Sequence, residues 1–159
     1  MSGKRARIQL DNVNANNLGV LRTINNAVLP LPYAESWYEE SLTIGELAKL
    51  AYFDEIPVGA ARCALKTPTS RTMPTSIYIM TLAVLDPYRG FGIGKRLLKH
   101  IIEQAQGMYV HEISVHVWDK NETAIQWYEA QGFEKLNLVN GYYQRMVPVG
   151  NAFFMKLSM

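Results

Sequence analysis

The chain has 159 residues, 48% of them hydrophobic and 19% charged. That size suits one domain with a buried core, and the composition excludes a disordered chain, which needs low hydrophobicity and high net charge. Sixteen basic against fourteen acidic side chains leave a net charge of +2, too little for a general nucleic-acid or membrane-surface binder.

The start, Met1-Ser2-Gly3-Lys4-Arg5-Ala6-Arg7, is basic with no apolar run behind it, so it does not read as a signal peptide. Arg7–Asp11 alternates as a short strand. Asn14–Leu29 carries Leu18, Leu21, Ile24 and Val28 at helical spacing and stops at Pro30. Pro30-Leu31-Pro32-Tyr33 is expected to be extended, because each proline disfavours helix at the residue before it. Glu35–Leu42 reads as a short helix. Glu46–Phe53 and Val58–Lys66 read as a hairpin joined through Asp54-Glu55-Ile56-Pro57. One cysteine, Cys63, excludes an internal disulfide framework and a cysteine-built zinc site. It reads as a small buried residue with no base paired to it.

Thr67–Ser76 is the most loop-like stretch. Ile77–Leu85 is apolar on both faces, as a covered central strand should be, and far short of the ~20 residues of a membrane helix. Ile93–Gln106 sets Ile93, Leu97, Leu98, Ile101 and Ala105 against Lys95, Arg96, Lys99 and Glu103, an amphipathic helix. His100 lies off its apolar face and reads as solvated. His111–Trp118 alternates as a strand. Asn121 suits the N-cap of a helix running to Gln131, with Gly132 as its stop. Phe133–Val139 and Tyr143–Leu157 read as strands around the turn signal Asn140-Gly141. The order β-α-α-β-β-β-α-β-α-β-β describes an α/β domain with a mixed sheet. A soluble domain of a reducing compartment is expected.

Arg89-Gly90-Phe91-Gly92-Ile93-Gly94-Lys95 lies between a buried strand and the amphipathic helix. Glycines there let backbone N–H groups face outward at the positive end of the helix dipole, which suits a phosphate or pyrophosphate. Two nucleotide fingerprints fail. GxGxxG would need glycine at 95 or 97, where Lys95 and Leu97 stand; a Walker A loop would need glycine at 89 and Ser or Thr at 96, where both residues are arginine. His116 has the opposite strand phase from Ile113, Val115 and Val117, so its imidazole can face away from their core. With an ordinary pKa near 6.5 it could accept a proton, although a strand histidine also suits plain packing. The same packing role is open to Tyr78 and Met80. No metal site is expected.

Arg89-x-x-Gly92-x-Gly94, the strand end Leu82-Ala83-Val84-Leu85-Asp86-Pro87-Tyr88, and Asn121 through Tyr128 before Gly132-Phe133-Glu134 together resemble the acetyl-CoA signature of the GNAT acetyltransferases. Gly45–Tyr52, Tyr78–Leu82, Val115-His116-Val117 and Gly141–Arg145 resemble, more narrowly, the NatE-type (San-like) enzymes that acetylate N-terminal methionine. The resemblance runs from about Ile8 to Val147. It implies a single N-acetyltransferase domain over residues 1–159, with a mixed, mostly antiparallel sheet flanked by about four helices. It implies acetyl-CoA as cosubstrate, held by Leu82, Val84, Arg89, Gly90, Gly92, Ile93, Gly94, Lys95, Asn121 and Tyr128, with Tyr128 as an acid for the leaving thiolate.

The same resemblance makes Tyr78 and His116 the catalytic pair, ordering and deprotonating a water for direct attack of the amine on the thioester. Leu29, Pro30, Leu31, Tyr33, Met80, Tyr142, Tyr143, Arg145 and Met146 fall where the family holds its peptide, and apolar and aromatic walls suit a methionine side chain. Leu29 stands where the family usually has phenylalanine. Implied partners are N-terminal peptides and nascent chains, and a large scaffold subunit of a ribosome-associated complex, with no direct nucleic acid or membrane contact. The implied location is cytoplasmic, with the nucleus as a second compartment. Two other readings fit parts of the pattern: a noncatalytic acetyl-CoA-binding subunit of such a complex, and a GNAT enzyme for lysine or small amines.

Overall fold

Strand alternation and helical spacing become elements in the expected chain order. The computed structural model describes residues 7–159; the basic stretch through Ala6 lies outside the described residues. The strands are β1 (Ile8–Asn12), β2 (Ala48–Phe53), β3 (Ile56–Lys66), β4 (Ser76–Val84), β5 (Glu112–Trp118), β6 (Glu134–Tyr143) and β7 (Gly150–Ser158). Among the described residues there are four α-helices: α1 (Leu18–Val28), α2 (Glu35–Glu40), α3 (Ile93–Gly107) and α4 (Glu122–Ala130). The strands form one seven-stranded sheet in the order β1-β2-β3-β4-β5-β7-β6. β4 and β5 pair in parallel, whereas β1–β2, β2–β3, β5–β7 and β6–β7 are antiparallel. This is the mixed, mostly antiparallel sheet that the resemblance implied.

Backbone contacts gather the chain into two units, one taking in the residues up to Cys63 with Met80–Gln104, the other Ala64–Ile79 with Ala105–Met159. In the first, Leu21 and Ile24 of α1 pack with Trp37, Tyr38, Leu50, Ala60 and Ala83 in a buried cluster. α2 has only six residues, too few to be stable alone. Arg62, 5% exposed, fastens it. The guanidinium donates to the Trp37 carbonyl, to Ser41 Oγ at 3.1 Å and to Glu40 at 3.3 Å, and lies 4.4 Å from the Trp37 ring centroid. In the second unit the buried Ile113, Val115 and Val117 of β5 oppose Leu157, Met155 and Phe153 of β7.

Several boundaries differ from the sequence expectation by a residue or more, three of them for a clear local reason. α1 begins at Leu18 rather than Asn14, because Asn14 and Asn17 use their side chains in a turn of their own, the competition that keeps asparagine out of helix interiors. Ile56 and Pro57 belong to β3; the hairpin turns on Asp54 and Glu55 alone, with Asp54 at φ 57°. The turn signal Asn140-Gly141 lies inside β6 and does not separate two strands. Gly141 has φ 68° and sits in a register shift between Val139 and Tyr143, where its N–H donates to Asn151 Oδ1 at 2.7 Å. The positive φ that glycine permits makes a bulge here, and the chain turns at residues 144–149 instead.

Candidate active site

β4 has one fully buried face, Ile77, Ile79, Thr81 and Ala83, and one half-buried face that presents Tyr78, Met80, Leu82 and Val84. Parallel pairing sets Tyr78 opposite Ser114, which places His116, two residues on, on the same face of β5. The Tyr78 hydroxyl lies 2.8 Å from His116 Nδ1 and 2.9 Å from the Tyr142 hydroxyl. Tyr142 also stacks on the imidazole, with ring centroids 4.2 Å apart and planes at 16°. Phe154 of β7, opposite His116, closes another side at 5.1 Å. Burial, and then the charge of Lys66, lowers the His116 pKa below its ordinary 6.5. The imidazole is therefore neutral at neutral pH, with Nδ1 free to accept the Tyr78 proton. Sequence reasoning put Tyr142 in the peptide wall; the structure puts its hydroxyl on the Tyr78–His116 pair. No periodicity could have shown this, since it depends on where the bulged end of β6 falls.

At the other end of β4 the glycine cluster forms an open turn. Gly90 and Gly92 have φ 86° and 83°, and a Cβ on either would meet nothing within 4 Å. The first helical bond of α3 runs from Arg96 N to Gly92 O at 2.9 Å, so the N–H groups of Ile93, Gly94 and Lys95 have no intrahelical acceptor. Unobstructed amides at a helix N-terminus fit the pyrophosphate of acetyl-CoA. The Ile93 side chain is only 1% exposed, so this residue can serve through its backbone alone. Arg89 braces the turn, donating to the Val84 carbonyl at 3.2 Å and pairing with Asp86 at 2.6 Å; the exposed Lys95 adds a second cation. In the second unit, the Asn121 side chain is engaged as the cap of α4, accepting from Ala124 N at 3.1 Å. Tyr128 is 7% exposed and lies edge-on to Trp127 and Phe133.

The residues expected to hold a peptide divide by unit. Leu29 and Met80 pack against the buried cluster of the first unit. There Tyr33 donates its hydroxyl hydrogen to the Met80 carbonyl at 3.4 Å and rests its ring on Trp37 with centroids 4.4 Å apart. Pro30 is exposed and Leu31 half-buried. Trp37 was missed as a site residue in the sequence, since only the fold of the extended Tyr33 segment back onto α2 brings the two rings together. In the second unit Tyr143 meets Tyr142 edge-on at 4.9 Å, Met146 is half-buried with its N–H on the Tyr143 carbonyl, and Arg145 is exposed. His100 is not simply solvated: Nε2 donates to the Glu46 carbonyl at 2.8 Å. Cys63 is buried, and burial pushes its thiol up to about 12, which makes it inert as a nucleophile at neutral pH.

In the first unit the unobstructed amides at the start of α3 suit a CoA pyrophosphate, and in the second the Tyr78–His116 pair suits removal of a proton from an amine. The Acetyltransferase (GNAT) family description fits residues 20–133, and the chain belongs to that family of acetyltransferases. Within it, the chain is 38% identical over 146 residues to N-alpha-acetyltransferase 50 of Danio rerio, covering 91% of this chain and 84% of that one. It is equally similar, 38% over 146 residues, to the "Probable N-acetyltransferase san" of Drosophila melanogaster, covering 91% and 77%. Among solved structures, Arabidopsis thaliana Naa50 in complex with the bisubstrate analogue CoA-Ac-MVNAL superposes with a TM-score of 0.87 at 37% identity, over 97% of this chain and 100% of that one.

Proposed function

We propose that this protein transfers the acetyl group of acetyl-CoA to the free α-amine of peptides and nascent chains that begin with methionine. The observation that carries this reading is the 2.8 Å hydrogen bond between the Tyr78 hydroxyl and His116 Nδ1. It is supported by the likeness to an enzyme solved with CoA joined to a methionine-first peptide. Acetyl-CoA supplies an activated acyl thioester, and the amides of Ile93, Gly94 and Lys95 with the Arg89 turn would hold its pyrophosphate.

The chain's own chemistry is proton removal. A phenol of pKa near 10 is a poor base alone. Hydrogen-bonded to a neutral imidazole, the Tyr78 oxygen can accept a proton from the amine, directly or through one water, while its own proton passes to His116 Nδ1. Tyr142, donating to the same oxygen, orients it. No acyl-enzyme is needed, and Cys63 is too buried and too weakly acidic to form one. An α-amine of pKa near 7.8 is roughly a tenth neutral at pH 7, whereas lysine at 10.4 is below about a thousandth. This relay therefore favours chain termini over side chains. Leu29, Pro30, Leu31, Tyr33 and Met80 would take the methionine side chain by apolar burial, with Tyr142, Tyr143, Arg145 and Met146 along the peptide backbone.

The whole chain is read as one acetyltransferase domain, with its core at about residues 8–147. The open glycine turn of the first unit and the formed Tyr78–His116 pair of the second each favour an enzyme over a noncatalytic subunit. Docking on a large scaffold subunit at the ribosome, and a cytoplasmic location with the nucleus as a second compartment, complete the proposal. The scaffold and the cytoplasmic location suit a substrate that emerges as a nascent chain. The test is purified protein with acetyl-CoA and a peptide panel: acetylation of Met-Leu peptides is expected, and no turnover of any methionine-first peptide would overturn the reading.

A further inference from the structure

Lys66 is the last residue of β3, and the mechanism above gives it no part. Its Nζ stands 5.1 Å from the centroid of the Tyr78 ring, the ring whose hydroxyl lies 2.8 Å from His116 Nδ1. The backbone at this point is secured, since the Lys66 carbonyl accepts from Thr75 N at 2.9 Å and closes the loop that leads into β4. Attraction between an ammonium and an aromatic face then holds the side chain's end over the ring.

The other charges around the pair do not do the same work. On β5 and β7, Glu112 and Lys156 neutralise each other at 3.1 Å. Glu134, at the start of β6, sits opposite Lys156. Arg145 is exposed in the connection after β6. Tyr142 and Phe154, which touch the imidazole, bring a phenol and a hydrocarbon. The charge that acts on His116 beside its burial is that of Lys66.

We propose that Lys66 is a positioning residue of the acetyl transfer: from over the Tyr78 ring its ammonium keeps the Tyr78–His116 pair neutral and ready to take a proton. A proton resident on His116 would add a second cation to the same group, with the Tyr78 ring under the first and the Tyr78 hydroxyl on the second, and like charges oppose that state. The pair therefore stays in its accepting form to lower pH than burial alone would allow. Because Lys66 is exposed, its field is open to screening by salt. The inference rests on Tyr78 and His116 being the proton-accepting pair.

The test begins on the protein without substrate, by NMR titration of the His116 imidazole. Lys66→Met should titrate at higher pH than the unmodified protein, Lys66→Arg should titrate like it, and high salt should narrow the difference. In turnover of a Met-Leu peptide, Lys66→Met should lose roughly two- to fivefold in kcat/KM near pH 6, the range one exposed charge supports, and Lys66→Arg should restore it. At pH 8.5, where the imidazole is neutral in either protein, the two should agree. Identical imidazole titrations in the unmodified protein and Lys66→Met would overturn the proposal, as would a loss that is the same at every pH. Inactivity of the unmodified protein on all methionine-first peptides would overturn the parent reading instead, and the titration tells the two failures apart.

Discussion

Tyr78, His116 and Cys63 show how environment separates three reactive side chains. Tyr78 and His116 share a hydrogen bond on a half-buried face, and each should be indispensable. His116→Ala and Tyr78→Phe are expected to lower kcat by about 10²-fold or more, the usual worth of positioned proton transfer. Cys63→Ala should leave kcat unchanged, because its thiol is buried and raised to about 12; an acetylated cysteine found by mass spectrometry would contradict direct attack. The pH dependence has a definite sign. The His116 pKa is lowered, first by burial and then by Lys66, so its accepting form persists below pH 6.5 and is lost as pH falls through the shifted value. The substrate amine, near 7.8, imposes its own decline at higher pH. A logarithmic plot of kcat/KM should fall with slope one below about pH 7.8 and steepen to slope two only below 6.5. A steepening above 6.5 would mean that the His116 pKa is not lowered by its surroundings.

Elements carry the next set of constraints. The turn into α3 needs glycine for two reasons at once: Gly92 adopts φ 83°, and the space in front of it is open. Gly92→Val would combine backbone strain with a side chain in that space. Gly45, at φ 58° and likewise facing nothing within 4 Å, separates the two effects, since Gly45→Val bears comparable strain away from the cradle. Calorimetry with CoA should find binding abolished or strongly weakened in Gly92→Val and retained in Gly45→Val; equal losses would mean strain alone and would dissolve the phosphate cradle. At α4, Asn121 caps the helix through Ala124 N. Asn121→Ala should cost about 1 kcal/mol of stability, within the 0.5–2 kcal/mol range for such caps, read as a lower Tm in the protein without CoA.

For the molecule as a whole, the expected behaviour is selectivity. Leu29 and Met80 pack on the same buried cluster, and Tyr33 ties α2's leading end to the Met80 carbonyl, so the wall proposed for methionine is anchored in a core. Loss of apolar contact in such a wall costs about 1–3 kcal/mol per methylene. Met-Leu peptides should therefore react far faster than Ser-Leu peptides, and peptides with a blocked terminus and an internal lysine should be slower by roughly the several-hundredfold difference in neutral amine. Leu29→Phe adds ring surface and should enlarge the Met-over-Ser ratio of kcat/KM values. Equal rates on the two peptides would leave the family assignment standing without its methionine pocket.

The kinds and order of the elements, the glycine turn and the strand phase of His116 were already legible in the chain, because each depends on neighbours within a few residues. Periodicity marks which face of a strand or helix is buried, and a cap or a glycine stop acts across a single helical turn. Asn121 capping α4 and Gly132 following it are such cases. The pairing of Tyr78 with His116 was suggested by likeness to known enzymes, not by spacing, since 38 residues separate them. Three features came only with the tertiary structure: Asn140-Gly141 as a bulge, the Tyr142 hydroxyl on Tyr78, and the Lys66 ammonium over the same ring. All three depend on the register of strands distant in sequence. A shift of one residue turns every side chain of a strand to the opposite face, and register is settled by packing and by hydrogen bonds such as Gly141 to Asn151, which no local pattern encodes.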